Sequence, residues 1–320
     1  MTWLVTGGAG YIGSHVVGAL LDAGLDPVVV DDFSTGRREF VPAGVPVIRG
    51  STLDGALLLD VLAERRVRGV VHVAGYKYAG ESVRHPLLAY AQNVEGTRVL
   101  LAAMAERGVD RLVFSSSAAV YGTPATTPVR EDAPTTPESP YGETKLIGEW
   151  LIRDQGAAVG LRHVALRYFN VVGSALPGVF DVSPHNLFPR VFDALLEGRP
   201  PTIHGGDFPT DDGTAVRDYV HVADLAAAHV AAARRLDAGE PTERVYNLGS
   251  GSGQSVREVL DAVRRVTGVD VEPEVGPRRP GDPARIVASG DLAERDLDWR
   301  MRHTLDEMVA SAWEARRAAG

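Results

Sequence analysis

Tyr141 and Lys145 stand four residues apart in the segment Tyr141-Gly142-Glu143-Thr144-Lys145, which puts both side chains on one face of a helix, a turn apart. A phenol with its ordinary pKa of about 10 is too weak a base at neutral pH. A neighbouring ammonium favours the phenolate and lowers that value, so the spacing predicts a tyrosine base assisted by a lysine. Ser117 follows the apolar run Val113–Ser116. Such a run reads as a buried strand, and its carboxyl end is where open α/β sheets bind ligands. Ser117 is therefore the residue expected to hydrogen-bond the reacting oxygen. A Tyr-x-x-x-Lys pair by itself is equally compatible with an ordinary surface helix.

A second cluster lies at the start of the chain. Thr6-Gly7-Gly8-Ala9-Gly10-Tyr11-Ile12-Gly13 follows a short apolar strand and opens a helical pattern. Gly7 allows a tight turn, Gly10 a close approach of backbone to a pyrophosphate, and Gly13 close helix–strand packing. The helix N-terminus then faces the phosphates. Asp31 ends the next β-branched run, where a carboxylate bonds an adenosine ribose and repels a 2′-phosphate. NAD is expected rather than NADP, with Arg37 and Arg38 close enough in sequence to argue the other way. The positive ring of an oxidised nicotinamide would further favour the Tyr141 phenolate.

The elements that must position these groups alternate. Strands are expected at Thr2–Thr6, Pro27–Val30, Val45–Arg49, Val70–Val73, Leu112–Ser116 and His163–Tyr168. Helices are expected at Gly13–Ala23, Ala56–Arg65, Leu87–Glu106 and Tyr141–Asp154. Strands alternating with helices mean right-handed crossovers and a parallel sheet covered on both faces. The fold class is therefore α/β, a Rossmann-like doubly wound parallel sheet with a smaller, discontinuous C-terminal substrate-binding region. Gly173–Pro189 and Pro200–Thr214 are too irregular for regular elements, and loops that long are usually functional. An alanine-rich helix follows at Ala223–Arg235, then amphipathic helices at Val256–Thr267 and Thr304–Arg317 around the Pro/Gly/Arg stretch Gly276–Pro283. The cofactor region is expected over residues 1–170, with returns near 188–198 and 221–248; residues 171–187, 199–220 and 249–320 would form the substrate side.

Composition limits the rest. The 320 residues carry a net charge of −9, which argues against a nucleic-acid partner. There are no cysteines, so disulfides, thiolate metal sites and cysteine nucleophiles are excluded. His72, His85, His185, His204 and His221 show no helical pairing with an acid, so no metal is expected. No apolar run spans a bilayer and no signal peptide is evident, which predicts no membrane association and a cytoplasmic protein.

Several segments together resemble the extended short-chain dehydrogenase/reductase family, and within it the nucleotide-sugar epimerases of the UDP-glucose 4-epimerase type. They are Thr6–His15, His72–Val83, Phe114–Gly122, Ser139–Lys145, Arg167–Gly173, Thr210–Val222 and Tyr246–Gly249, and the similarity runs end to end. The resemblance implies NAD-dependent 4-epimerisation of a UDP-hexose, with Tyr141 as base, Ser117 assisting and Lys145 holding the nicotinamide ribose. It implies cofactor contacts from Gly7, Gly10, Tyr11, Ile12, Gly13, Asp31, Asp32, Ser34, Ser51, Thr52, Val73, Ala74, Gly75, Lys77, Asn93, Ser115 and Tyr168. On the substrate side it implies Lys77, Ala118, Phe169, Asn170, Asn186, Leu187, Thr202, Ile203, His204 and Tyr219, with Arg217 and Arg279 on the phosphates and Asp282 on the uridine ribose. A homodimer formed through the helices at Leu87–Glu106 and Tyr141–Asp154 is a further implication.

Some positions depart from the family pattern. Gly50-Ser51-Thr52 lacks the frequent carboxylate near the adenine amine, Val171 replaces a frequent proline, and His204 stands where an aromatic residue is common. Ile286 occupies the position associated with sugar size, which leaves N-acetylhexosamines open, and Arg285 would suit an acidic sugar such as UDP-glucuronate. A 4,6-dehydratase needs an acid/base pair just after the serine; here those residues are Ala118 and Ala119. An NAD-sensing protein without catalysis would have no need of Ser117, Tyr141 and Lys145 together.

Overall fold

The computed structural model describes residues 1–279 and 282–319. Pro280 and Gly281, within the arginine-rich stretch, and Gly320, at the end of the expected nucleotide-sugar side, lie outside the described residues.

The first part of the chain runs β1 (Thr2–Thr6), α1 (Tyr11–Asp22), β2 (Asp26–Asp31), β3 (Val47–Arg49), α2 (Gly55–Glu64), β4 (Gly69–His72), α3 (Ala79–Arg84), α4 (Pro86–Tyr90), α5 (Gly96–Arg107), β5 (Arg111–Ser115), α6 (Pro140–Val159) and β6 (Arg162–Tyr168). There follow β7 (Asn170–Val172), α7 (Leu187–Leu196), β8 (Thr202–His204), β9 (Val216–Arg217), β10 (Tyr219–His221), α8 (Val222–Ala238), β11 (Val245–Leu248), β12 (Gln254–Ser255), α9 (Val256–Thr267), β13 (Glu274–Gly276), β14 (Arg285–Ile286), α10 (Asp291–Leu297) and α11 (Leu305–Ala318). Seven strands form one parallel sheet in the order β11-β6-β5-β4-β1-β2-β3.

Both sheet faces are buried because successive side chains of a strand point to opposite sides. Trp3, Val5, Val29, Val71 and Val113 join one cluster with Val16, Val17 and Leu20 of α1 and Leu225 of α8. Their neighbours Leu4, Val28, Val30, Val70, Leu112 and Phe114 join the opposite cluster with Leu58 of α2, Leu100 and Met104 of α5, and Ile152 of α6. The alanines of α8 let it lie close against α1 and the sheet: Ala228, Ala232 and Ala233 are fully buried.

The helix expected at Leu87–Glu106 is α4 and α5 joined by a π-helical turn over Ala91–Glu95. The stretch 188–198, expected to rejoin the cofactor side, carries α7 instead. Its Phe188, Val191 and Phe192 pack with Val259 and Val263 of α9 and Met308 and Val309 of α11, because its apolar side matches those two amphipathic helices. Serine and threonine caps start both: Ser255 with Glu258 on α9, and Thr304 with Glu307 on α11, each form a reciprocal capping box. Pro200–Thr214, read as irregular, contains β8, which pairs in parallel with β13.

Candidate active site

A cleft of about 1030 Å³ runs along the carboxyl edge of the sheet and on between β8, β9, α7 and Arg279. At its cofactor-side end β1 turns into α1. Gly7 adopts φ +70°, and a Cβ there would lie 2.7 Å from the Ala74 backbone nitrogen. A Cβ on Gly13 would lie 2.0 Å from the Gly7 carbonyl oxygen. Both glycines are demanded by the packing of the protein itself. Gly10 differs: it has φ −78° and ψ 170°, and an added Cβ would meet only the Gly7 oxygen, at 3.3 Å. Its missing side chain leaves room in the cleft rather than in the fold. No side chain caps α1, and its first turn has no acidic residue, so the helix end is open to an anion. The turn therefore fits a dinucleotide pyrophosphate.

Asp31 sits beside this turn. Its Oδ2 accepts from the Ala9 N–H at 2.9 Å and its Oδ1 from the Phe33 N–H at 2.8 Å. Burial raises its pKa, and the two backbone hydrogen bonds oppose that shift. Each carboxylate oxygen keeps lone pairs for a further donor. Asp32, Ser34, Ser51, Thr52, Val73, Ala74, Gly75 and Lys77 continue the wall, with Tyr11 and Ile12 at the helix start.

In the middle of the cleft stand Ser117, Tyr141, Lys145 and Tyr168. Ser139 caps α6 by accepting from the Gly142 N–H at 3.2 Å, which fixes the first turn that carries Tyr141. Lys145 is buried, and its Nζ donates to the Ser115 carbonyl at 2.9 Å. Burial lowers its pKa to about 8, while the charge of Glu149 one turn along raises it. Burial raises the Tyr141 pKa, and a hydrogen bond with Ser117 offsets part of that shift. The lowering of Tyr141 by Lys145, expected from their spacing, is not a feature of this arrangement. The ammonium is turned to Ser115, 6.0 Å from the centre of the Tyr141 ring. Tyr168 is also raised, by burial and then by Tyr141.

A buried network stands behind α6. Glu149 accepts from Ser116 Oγ at 2.5 Å and from Arg167 Nε at 2.9 Å. Arg167 in turn donates to Tyr121 Oη at 2.8 Å. Tyr141, Lys145 and Glu149 follow one another at helical spacing, so this network anchors the helix face that carries the tyrosine and lysine.

The far end of the cleft holds Phe169, Asn170, Asn186, Leu187, Thr202, His204, Arg217, Tyr219, Arg279 and Asp282. Arg217 pairs with Asp282 at 2.5 Å. The Arg279 pKa is lowered by burial and then by the nearby Arg190.

Four expected site residues do not line the cleft. Asn93 lies behind the wall in the π-helical turn; its Oδ1 accepts from the Tyr76 N–H at 2.6 Å and its Nδ2 donates to Thr144 Oγ1 at 2.8 Å. Ser115 points its hydroxyl at His229 Nε2, 2.8 Å away. Ala118 is buried in the turn after Ser117. Ile203 is 0% exposed, because strand alternation sends it opposite to Thr202 and His204. Arg285 lies away from the cleft, donating to the Ser252 carbonyl at 2.7 Å. Ile286 packs with Phe169 against Val120 and Tyr121. Residues not foreseen also line the cleft, among them Tyr78, Asp181, His185 and Arg190. Arg190 follows Asn186 by one helical turn, a spacing that could have flagged it. Among the described residues no group of histidines and carboxylates is arranged to hold a metal.

The family model described as "NAD dependent epimerase/dehydratase family" matches residues 3–249. The UDP-glucose 4-epimerase of Azospirillum brasilense is 48% identical over 319 residues, covering 97% of this chain and 91% of that protein. The UDP-glucose 4-epimerase of Brucella ovis, solved in complex with NAD, superposes with a TM-score of 0.94 at 38% identity, covering 99% of this chain and 98% of that one. That of Bifidobacterium longum, in complex with NAD+ and UDP, gives a TM-score of 0.92 at 39% identity, covering 100% of both chains. The chain belongs to the NAD dependent epimerase/dehydratase family.

Proposed function

We propose that the chain catalyses the NAD-dependent 4-epimerisation of a UDP-hexose, interconverting UDP-galactose and UDP-glucose. One observation carries the reading. Ser117, Tyr141 and Lys145 stand midway in a single cleft, between an open glycine turn and a cluster of arginines. That order matches a dinucleotide at one end, a nucleoside diphosphate at the other and a sugar between them.

Bound NAD would supply the reversible hydride acceptor that oxidation and re-reduction at sugar carbon 4 require. The residues of the chain do the rest. The glycine turn and Asp31 hold the cofactor, and Lys145 holds its ribose. Tyr141 Oη removes the proton of the 4-hydroxyl and later gives it back, with Ser117 hydrogen-bonded to the same oxygen. Lys145 retains its charge below a pH of about 8, the form in which all its N–H groups can donate to the cofactor ribose. Arg217, Arg279 and Asp282 anchor the nucleotide far from the reacting carbon, so the sugar turns between hydride transfers without leaving the site. Ala118 and Ala119, next to Ser117, have no titratable group, which supports epimerisation over dehydration. Arg285, bonded to the Ser252 carbonyl and not among the residues that line the cleft, offers no support for an acidic sugar.

We divide the chain into a cofactor region, comprising residues 1–170 with α8 and β11, and a nucleotide-sugar region comprising the remainder. Among the described residues no helix is long and apolar enough to cross a membrane. Leu87 at 83% exposure, with Val83 and Trp150, gives α3, α4 and α6 an apolar outer surface suited to a homodimer, which sedimentation would test. The test of function is incubation with UDP-galactose and NAD while the anomeric signals are followed by NMR. UDP-glucose should accumulate without net NADH; no conversion by protein that has bound NAD would overturn the reading.

A further inference from the structure

We infer that Arg190 joins Arg217 and Arg279 as a third guanidinium group that neutralises the diphosphate of the substrate, an assignment that rests on the function proposed above. Three guanidinium groups line the nucleotide end of the cleft: Arg190, Arg217 and Arg279. Arg217 is already compensated. Its Nη2 donates to Asp282 Oδ1 at 2.5 Å and its Nη1 to the Val216 carbonyl at 2.8 Å. Arg190 and Arg279 have no carboxylate within salt-bridge distance among the described residues, whereas the acids of α7 that line the same cleft are engaged elsewhere: Asp193 with Arg316 and Glu197 with Arg199.

Arg190 and Arg279 therefore share one end of the cleft, Arg279 with the charge of Asp282 acting on it and Arg190 with no carboxylate within salt-bridge distance among the described residues. Each is felt by the other groups there: burial and then Arg190 lower the Arg279 pKa, and burial, Arg279 and Arg190 in turn lower that of His204. Like charges held together are relieved by an anion of matching charge. The diphosphate of a nucleotide sugar carries one ionised oxygen on each phosphate, an anion that relieves such a cluster of guanidinium groups. Arg190 is exposed on α7, one turn from Asn186, so its forked donors are free to meet a phosphate oxygen.

The assignment separates nucleotides by phosphate number. Binding of UDP, UMP and uridine to the NAD-loaded protein would be measured by calorimetry at two salt concentrations. Arg190→Met should weaken UDP about tenfold, the worth of one charge-assisted hydrogen bond, weaken UMP less and leave uridine unchanged. Its UDP affinity should also depend less steeply on salt, and Arg190→Lys should recover most of the loss. The KM for UDP-galactose should rise with kcat little changed. Wild-type UDP affinity and salt dependence in Arg190→Met would overturn the assignment while the proposed function stood. A wild-type protein that does not bind UDP would overturn both.

Discussion

Gly10→Ala and Gly13→Ala differ by one methyl group each, yet they should fail in different ways. Gly10 already has backbone angles open to any L-residue, and its new Cβ would meet one oxygen at 3.3 Å. Loss of glycine entropy in the unfolded chain stabilises by about 0.4–1 kcal/mol. Alanine is a poorer N-cap than glycine by roughly 0.5–1 kcal/mol, so the two terms nearly cancel. Gly13→Ala has no such tolerance, because its Cβ would lie 2.0 Å from the Gly7 oxygen and 2.8 Å from the Gly7 carbon. Those are backbone atoms that cannot rotate aside, and overpacking of this kind costs about 1–3 kcal/mol or more. Thermal unfolding with and without NAD separates the two. At a hundred times its dissociation constant NAD should stabilise the wild-type protein by about 2.7 kcal/mol. Gly10→Ala should keep the cofactor-free midpoint to within a few degrees and lose most of the NAD-induced rise. Gly13→Ala should unfold earlier even without NAD. A full NAD response in Gly10→Ala would refute the division between a glycine kept for the ligand and a glycine kept for the fold.

Substitutions at Tyr141, Glu149 and Arg285 and the titration of Lys145 give further expected outcomes. Tyr141→Phe should lower kcat by orders of magnitude while UDP binds as before; retention of normal turnover would remove Tyr141 as the base. Lys145 is charged below a pH of about 8 and loses its proton as pH rises through that value, so kcat should fall on the alkaline side with a midpoint near 8. Glu149→Gln, which removes the group that raises Lys145, should move that fall to lower pH, and a pH profile identical to wild type would refute the coupling. Stability should rise with pH between about 8 and 10.5, where the unfolded lysine keeps a proton that the folded one has released. Arg285→Ala should leave kcat/KM for UDP-galactose unchanged, and UDP-glucuronate should not be turned over; loss of either expectation would bring Arg285 back to the sugar.

The alternating pattern of the first half was legible because a strand buried on both faces is a continuous apolar run and a crossover helix has its own period. The site was legible where a motif ties residue type to a sharp local turn, as in Gly7–Gly13 and Tyr141–Lys145. Asn93 was harder to place, since a π-helical turn leaves the sequence period of α4 and α5 almost unchanged yet redirects the side chain. Ile203 lies on a strand of three residues, too short for alternation to be read. Asp181, His185 and Arg190 reach the cleft through tertiary packing of segments that carry no motif, and Tyr78, within His72–Val83, is placed there by its position at the start of α3 rather than by a spacing. The Lys145 contact with the Ser115 carbonyl depends on a rotamer, which spacing along a helix does not determine.

The position of β11 has a consequence for how such a chain is made and how it can be varied. Until Val245–Leu248 leaves the ribosome, β6 is the last strand of an incomplete sheet, its outer row of amides and carbonyls without the partner it has in the finished protein. The cofactor half thus cannot close before the stretch of the nucleotide half between β6 and α8 has been synthesised, and a nascent chain stalled in between presents an adhesive parallel edge. For the same reason a single splice between two relatives would join half-sheets of different parentage. Exchange of sugar specificity is better served by transplanting the stretches between β6 and β10 as insertions, with both borders of the sheet left in place.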